Sequence, residues 1–174
     1  MHPRRSFLLM GVALALSATL PSLAGDAVRT QELFFIQRSK NANEVHYDAR
    51  VAKDGRLDPD QPVVGYWLNK AEDGSRKPIK LVQQIAYGFD VAPSKDGATY
   101  GLKLKAFKER PMTIVRSDKD GRWRVQTTIA GKPAFMNRIY VATDESSLMP
   151  TVLYVDVYGD ETGSGAPVHE HIAR

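Results

Sequence analysis

Residues 44–52, EVHYDARVA, decide the fold that the sequence predicts. The apolar members of this stretch are Val45, Tyr47, Ala49 and Val51. The polar members between them are Glu44, His46, Asp48 and Arg50. Successive side chains of a β-strand point to opposite faces. The alternation therefore predicts a half-buried strand with its polar face toward solvent.

The same two-residue alternation recurs along the rest of the chain. It predicts strands at 33–38, 63–68, 100–106, 112–116, 122–129, 138–142 and 151–158. Four Asp-Gly pairs punctuate these runs, namely Asp54-Gly55, Asp73-Gly74, Asp96-Gly97 and Asp120-Gly121. Because Gly and Asp tolerate positive φ, such pairs favour tight turns and antiparallel neighbours.

Residues 78–88 break this strand pattern. Ile79, Val82 and Ala86 keep helical spacing, Pro78 suits a first helical position, and Gly88 suits the position just past the end. These features favour a short helix over about 78–87. An alternation also runs through Leu81, Gln83, Ile85 and Tyr87. A strand therefore remains the alternative.

The last part of the chain predicts a hairpin. Residues 159–165 form a polar, glycine-bearing connection, and residues 168–172 return as an edge strand. The predicted fold class is mainly β, an antiparallel β-barrel or β-sandwich with one short helix packed on it. The sequence leaves the choice between barrel and sandwich open.

The amino terminus has the pattern of an export signal. Arg4 and Arg5 precede an apolar run over 7–20, and small residues suit cleavage after Ala24, or alternatively after Ala27. The run is shorter than a membrane-spanning helix, so no span is expected after cleavage. We expect a cleaved signal over 1–24, one domain over 25–174 and a periplasmic or secreted protein. General secretion is favoured, and the twin-arginine route is the alternative.

Composition excludes several kinds of chemistry. The chain has no Cys, which excludes a disulfide framework, thiolate metal sites and a cysteine nucleophile. The formal net charge is +4, of which Arg4 and Arg5 contribute two, and the basic residues are spread along the chain. A charge this balanced does not indicate a nucleic-acid partner.

Several segments together resemble a known bacterial family. They are FFIQRSKNANEVHYDA, PVVGYWL, VQQIAYGFDV, RIYV and YVDVYGDETGSGAPVHEHI, in this order between Leu33 and Ile172. The chain resembles the domain of unknown function 4833 (DUF4833), a family of exported bacterial proteins. Positions that match the family pattern are Arg38, Ser39, Asn41, Asn43, Tyr47, Trp67, the segment 86–88 and Gly159. The resemblance implies no activity and no catalytic residues.

The candidate ligand-binding residues come from a polar cluster and three aromatic residues. They are Arg38, Ser39, Asn41, Asn43, Tyr47, Trp67 and Tyr87. A guanidinium group with nearby amides and hydroxyls suits a carboxylate, phosphate or sugar, and flat rings stack on sugars or apolar ligands. The alternative is turn chemistry for the polar residues and sheet packing for the rings.

The sequence predicts no catalytic residues, no metal site and no cofactor. His169 and His171 share a strand face, with Asp156 or Asp160 as the nearest candidates to complete a metal site, but two ligands do not make one. An exposed pair of histidines near a chain end is the simpler interpretation.

The leading functional hypothesis is a non-enzymatic domain that binds a small ligand, a glycan fragment or an envelope protein. The first alternative is an envelope hydrolase whose site forms only in three dimensions, with Ser39, His46 and Asp48 as candidate participants. The second alternative is a structural or assembly protein that pairs through an exposed sheet edge.

Overall fold

The computed structural model describes residues 28–144, 146 and 151–174. The predicted export signal and both possible cleavage sites, after Ala24 and after Ala27, lie outside the described residues. The strands are β1 (Arg29–Arg38), β2 (Glu44–Val51), β3 (Val63–Leu68), β4 (Arg76–Pro78), β5 (Phe89–Pro93), β6 (Tyr100–Leu104), β7 (Met112–Arg116), β8 (Trp123–Ile129), β9 (Lys132–Asp144), β10 (Thr151–Glu161) and β11 (Pro167–Ala173). A 3-10 turn (Leu81–Gln83) and a short helix α1 (Gln84–Tyr87) lie between β4 and β5.

All eleven described strands belong to one sheet. Their hydrogen-bonded order is β4-β3-β2-β1-β9-β8-β7-β6-β5, and β10 pairs with both β9 and β11. The long strand β9 contacts β8 through its first half and β1 through its second half. Nine of the ten pairings between described strands are antiparallel. The exception is the parallel pairing of β1 with β9.

The predicted fold class is confirmed. The chain is mainly β with one short helical segment, and the sheet curls until the edge strand β5 meets the middle of β2. The rings of Tyr47 in β2 and Phe89 in β5 are in edge-to-face contact, with centroids 5.4 Å apart. The predicted helix over 78–87 is shorter than expected, since β4 takes Pro78 and the helical segment covers 81–87. The strands β4 and β5 have no counterpart in the predicted pattern.

The four Asp-Gly pairs form turns, as predicted. Their glycines have φ between +67° and +80°, and the β2–β3, β3–β4, β5–β6 and β7–β8 pairs that they separate are antiparallel. Each aspartate accepts a hydrogen bond from the backbone N–H two residues later, which closes the turn locally. The turn geometry is therefore encoded within a few residues.

One expectation about β2 is wrong. Its polar face is not turned to solvent, because Glu44, His46 and Asp48 are each less than a tenth exposed. The rings of Phe35 in β1 and Tyr66 in β3 lie on either side of the His46 ring, with centroids 5.3 and 5.6 Å away. Cross-strand neighbours therefore cover the polar face as well as the apolar one.

Gly159 lies where β10 shifts register against β9. A Cβ at this position would collide with the carbonyl oxygen of Phe135 and lie 2.8 Å from Cδ1 of Ile129. We predict that Gly159→Ala lowers the free energy of unfolding by about 1–3 kcal/mol, because the packed strands cannot absorb the extra methyl group. Chemical denaturation measures this change.

Gly163→Ala is the matched control for this prediction. No atom lies within 4 Å of a Cβ built at Gly163, and its φ is not in the left-handed region. We expect its effect to stay within about 0.5 kcal/mol. Equal stability of the two variants would contradict the packing that the structure gives to Gly159.

Candidate functional site

A depression of about 350 Å³ opens between the ends of β1 and β3 and the helical segment. Its lining residues are Arg38, Asn43, Trp67, Asn69, Glu72, Lys77, Pro78, Lys80, Gln83 and Tyr87. Four of these were predicted from sequence as ligand-binding candidates: Arg38, Asn43, Trp67 and Tyr87. Residues that lie far apart in sequence therefore meet at one surface of the fold.

The aromatic wall of the depression is held from beneath. The ring of Trp67 meets the ring of Tyr87 edge to face, with centroids 5.2 Å apart. The buried hydroxyl of Tyr47 donates a hydrogen bond of 2.8 Å to the backbone carbonyl oxygen of Tyr87. Tyr47 is itself stacked on Phe34, with centroids 4.5 Å apart. Tyr47 thus supports the site from the core but does not line the depression.

Two buried donors at this site lack a partner among the described residues. The indole Nε1–H of Trp67 and the Nε–H of Arg38 are inaccessible to solvent and make no hydrogen bond. The Arg38 guanidinium carbon lies 5.5 Å from the centroid of the Trp67 ring. Buried donors are nearly always paired in folded proteins, so these two unpaired donors at one site are exceptions that require an explanation.

The charge around the depression is mainly positive. Arg38, Lys77 and Lys80 line it together with one carboxylate, Glu72. Glu72 lies 3.8 Å from the ammonium group of Lys77, and both side chains are more than half exposed. Such an exposed ion pair is weak. The three cations therefore outweigh the single carboxylate, and the depression keeps an excess of positive charge. The arrangement favours an anionic ligand.

Three of the predicted polar residues have structural partners. The side-chain oxygen of Asn43 accepts a hydrogen bond of 3.0 Å from the backbone N–H of Ala71. The hydroxyl oxygen of Ser39 accepts a hydrogen bond of 3.0 Å from the backbone N–H of Thr143. The side-chain oxygen of Asn41 accepts one of 3.0 Å from the backbone N–H of Asn43, which makes a local turn. Neither Ser39 nor Asn41 lines the depression. The predicted polar cluster therefore divides, and Arg38 and Asn43 are its members at the site.

Sequence reasoning missed the cationic side of the site. Lys77 lies directly opposite Trp67 in the β3–β4 pairing. The Asp73-Gly74 turn predicts that hairpin, but a two-residue loop there would place Lys80 opposite Trp67, so the longer turn in the structure sets a register that the sequence did not give. Lys80 and Gln83 begin the helical segment, where the Lys80 backbone N–H donates a 2.8 Å hydrogen bond to the Gln83 side chain. No pattern in the sequence marks these two residues as neighbours of Arg38.

The three residues of the hydrolase hypothesis do not form a catalytic set. The His46 ring nitrogens lie 2.7 Å from a carboxylate oxygen of Glu32 and 2.9 Å from one of Glu44. Ser39 instead bonds to Thr143, and Asp48 accepts a hydrogen bond of 3.1 Å from the Tyr66 hydroxyl. The described geometry therefore places no nucleophile beside His46.

Burial and hydrogen bonding act in opposite directions on the carboxylates of β2. Burial raises the pKa of Glu44, but hydrogen bonds from Lys70 and His46 outweigh it and leave the pKa below its ordinary value. Burial raises the pKa of Asp48, and the Tyr66 hydrogen bond offsets this only in part. Burial and the neighbouring Asp48 also raise the pKa of Tyr66 to about 12.

The two C-terminal histidines converge on one carboxylate. One oxygen of Asp156 lies 3.0 Å from His169 Nε2 and 2.8 Å from His171 Nδ1. Burial raises the pKa of Asp156, but these two hydrogen bonds outweigh it and hold the pKa below its ordinary value. Across residues 28–144, 146 and 151–174, no group of three or more His, Asp or Glu side chains is arranged to hold a metal ion.

The Glu44 network predicts a pH-dependent contribution to stability. Because the folded-state pKa of Glu44 is lowered, its stabilisation is complete above its ordinary pKa of 4.5 and is lost as the pH falls through the lower folded value. We predict that Glu44→Gln lowers the free energy of unfolding by about 2 kcal/mol at neutral pH. The variant should also lose less stability than the parent protein below pH 4.5.

Denaturation curves from neutral pH down to acid pH test this prediction. Glu109→Gln is the control, because Glu109 is an exposed glutamate outside this network. It should leave both the stability and its pH dependence unchanged. A Glu44→Gln profile parallel to that of the parent protein would refute the assigned role of the carboxylate.

Comparisons with known proteins give one match. A family model described as Domain of unknown function (DUF4833) matches residues 34–171. Neither the curated proteins nor the solved structures include a match to the chain. The matched range contains Arg38, Asn43, Trp67 and Tyr87, together with the segment that carries Lys77 and Lys80.

Proposed function

We propose that this chain, which belongs to the DUF4833 family, binds a small anionic ligand in the depression beside Trp67. The two unpaired buried donors, Arg38 Nε and Trp67 Nε1, carry this proposal. A carboxylate or phosphate oxygen that reached them would supply the missing acceptor. A hydrogen bond to an ionised group is also stronger than one between neutral groups.

The size and walls of the depression favour a ligand with a compact ring-shaped body. The volume of about 350 Å³ lies at the lower end of the range for small-molecule pockets. The half-buried ring of Tyr87 offers apolar surface beside the largely buried Trp67, and Asn43, Asn69 and Gln83 offer side-chain amides. An acidic sugar or a sugar phosphate has this combination of charge, hydroxyl groups and ring.

The lining residues favour binding over catalysis. They are mainly donors, cations and rings, and the one carboxylate among them, Glu72, pairs with Lys77. We further propose that binding takes place outside the cytoplasm, in the periplasm or after secretion. This part rests on the basic and apolar pattern of residues 1–24.

The two tryptophans of the chain provide a direct test. The Trp123 indole N–H donates a hydrogen bond of 3.0 Å to the Gly55 carbonyl oxygen, so it serves as an internal control. We predict that glucuronate shifts the Trp67 indole N–H resonance in ¹H–¹⁵N NMR spectra and leaves that of Trp123 in place. Neutral glucose should have little effect, because it lacks the ionised acceptor.

Matched variants test whether the two donors themselves bind the ligand. Trp67→Phe keeps a ring but removes the N–H, and Arg38→Met keeps the side-chain stem but removes the guanidinium. We expect each to weaken glucuronate binding by roughly 10- to 150-fold, since a hydrogen bond to a charged group contributes roughly 1.5–3 kcal/mol. Arg29→Met, at the exposed start of the same strand, should bind as the parent does.

Inorganic phosphate, titrated in parallel, separates recognition of the charge from recognition of the ring. Weaker but detectable shifts at Trp67 with phosphate would agree with a site for the anionic group alone. The proposal fails if neither glucuronate nor phosphate moves the Trp67 resonance. It also fails if both tryptophan resonances move together.

A further inference from the structure

The helical segment beside the depression exposes three large apolar side chains. Leu81 is 88% exposed, Val82 75% and Ile85 77%. The other large apolar side chains that stand out as exposed among the described residues, Val152 and Leu153, reach 38% and 49%. Within seven helical residues, the chain thus presents a contiguous apolar surface, which we call the apolar ridge: Leu81, Val82 and Ile85.

The apolar ridge does not result from a loosely attached segment. Ile79, just before it, is buried in the core, and the Tyr87 carbonyl just after it is held by Tyr47. The Lys105 backbone N–H donates a hydrogen bond of 2.8 Å to the Gly88 carbonyl oxygen. The segment is therefore fixed at both ends, and its fixed orientation turns the ridge outward.

Three lysines lie near the helical segment that carries the apolar ridge. Lys80 adjoins Leu81, and Lys77 lines the same depression as Lys80. The side-chain stem of Lys105 lies against Gly88, at the end of the helix. Apolar residues that project next to lysines match a surface with an anionic exterior and an apolar interior.

The size of the ridge decides between a membrane surface and a protein partner. A stable protein interface takes roughly 20–30 residues from each side, far more than this segment offers. A lipid bilayer needs no complementary shape and accepts a few apolar side chains at its interface. We propose that the apolar ridge docks the domain on an anionic phospholipid bilayer, with Lys77, Lys80 and Lys105 against the headgroups.

This inference goes beyond the proposed function, because docking needs only the ridge and the lysines. None of the helices in the described part of the chain has the length and apolar character needed to cross a membrane. The proposed attachment is peripheral.

A single environment-sensitive dye tests the proposal in the full chain. Because the sequence has no Cys, Ile85→Cys provides one unique labelling position on the ridge. The control is Ala98→Cys, an exposed position in the turn between β5 and β6. We predict that vesicles of equal parts phosphatidylglycerol and phosphatidylcholine shift the dye emission at position 85 to shorter wavelength. The dye at position 98 should not respond, although both chains share the apolar run at 7–20.

Vesicle sedimentation with unlabelled variants measures the apolar and the electrostatic contributions to docking separately. Replacing Leu81, Val82 and Ile85 together by Gln should abolish the ridge-dependent binding and leave the melting temperature unchanged, because all three side chains are exposed. Replacing Lys77 and Lys80 by Gln should lower the affinity for the anionic vesicles about 25-fold, since each lysine near such a surface contributes roughly a fivefold factor. Pure phosphatidylcholine vesicles should bind correspondingly less.

Three outcomes would overturn the inference. One is an unchanged dye at position 85 on anionic vesicles, and another is equal responses at positions 85 and 98. The third is a response at position 85 that appears without lipid and grows with protein concentration, since it would assign the ridge to contacts between copies of the chain. The pocket proposal survives all three, because its test follows Trp67 and uses no lipid.

Discussion

The buried side chain of Tyr47 joins β2 to the edge strand β5 and to the helical segment. Its ring belongs to the inner face of β2, packs on Phe34 and meets Phe89 of the edge strand β5. Burial raises the pKa of the Tyr47 hydroxyl, which stays protonated and donates to the Tyr87 carbonyl oxygen. Since a buried hydroxyl without a partner costs free energy, packing Tyr47 in the core also determines where the helical segment lies. This one hydrogen bond therefore positions the aromatic wall of the depression.

The opposite face of β2 is ordered by charge. His46 bridges carboxylates of Glu32 and Glu44, and Lys70 completes the network with a 2.8 Å contact to Glu44. The network joins β1, β2 and the loop after β3. The strand that decides the fold is thus fixed on both faces, by apolar packing inside and by paired charges outside.

The sequence predicted those features that are determined within a few residues. The alternation located β2, β3 and β7, and the Asp-Gly pairs located the turns, because side-chain direction and positive φ are local properties. The closure of the sheet depends on contacts between distant residues, such as Tyr47 with Phe89, and no local pattern encodes them. The same distinction explains β4 and β5. These short edge strands exist because their neighbours in the sheet are already in place.

The candidate site shows the same distinction between local and long-range determinants. Arg38, Asn43, Trp67 and Tyr87 were predicted because a guanidinium group, an amide and aromatic rings have distinctive chemistry wherever they occur. Lys80 was missed because no local sequence pattern distinguishes a ligand-binding lysine from any other surface lysine. Only the fold of the helical segment brings Lys80 close to the four predicted residues. Ser39 and Asn41 have equally suitable chemistry for a ligand. The Asn41 side-chain oxygen is taken up locally by the backbone N–H of Asn43, whereas the Ser39 hydroxyl is taken up by the backbone N–H of the distant Thr143. The second contact is visible only in three dimensions.

The helical segment combines requirements that packing alone does not explain. Closing the sheet needs Ile79 inside and the Tyr87 carbonyl at the Tyr47 hydroxyl, and both conditions concern the inner side of the segment. The outer positions, Leu81, Val82 and Ile85, contribute little to that closure, and polar residues there would serve the core equally well. Exposed apolar groups in one cluster favour association with other surfaces. The inner side of the helical segment is rigidly attached, and its outer side is apolar. This combination indicates that the outer side, which lies at the rim of the depression, contacts a surface outside the domain.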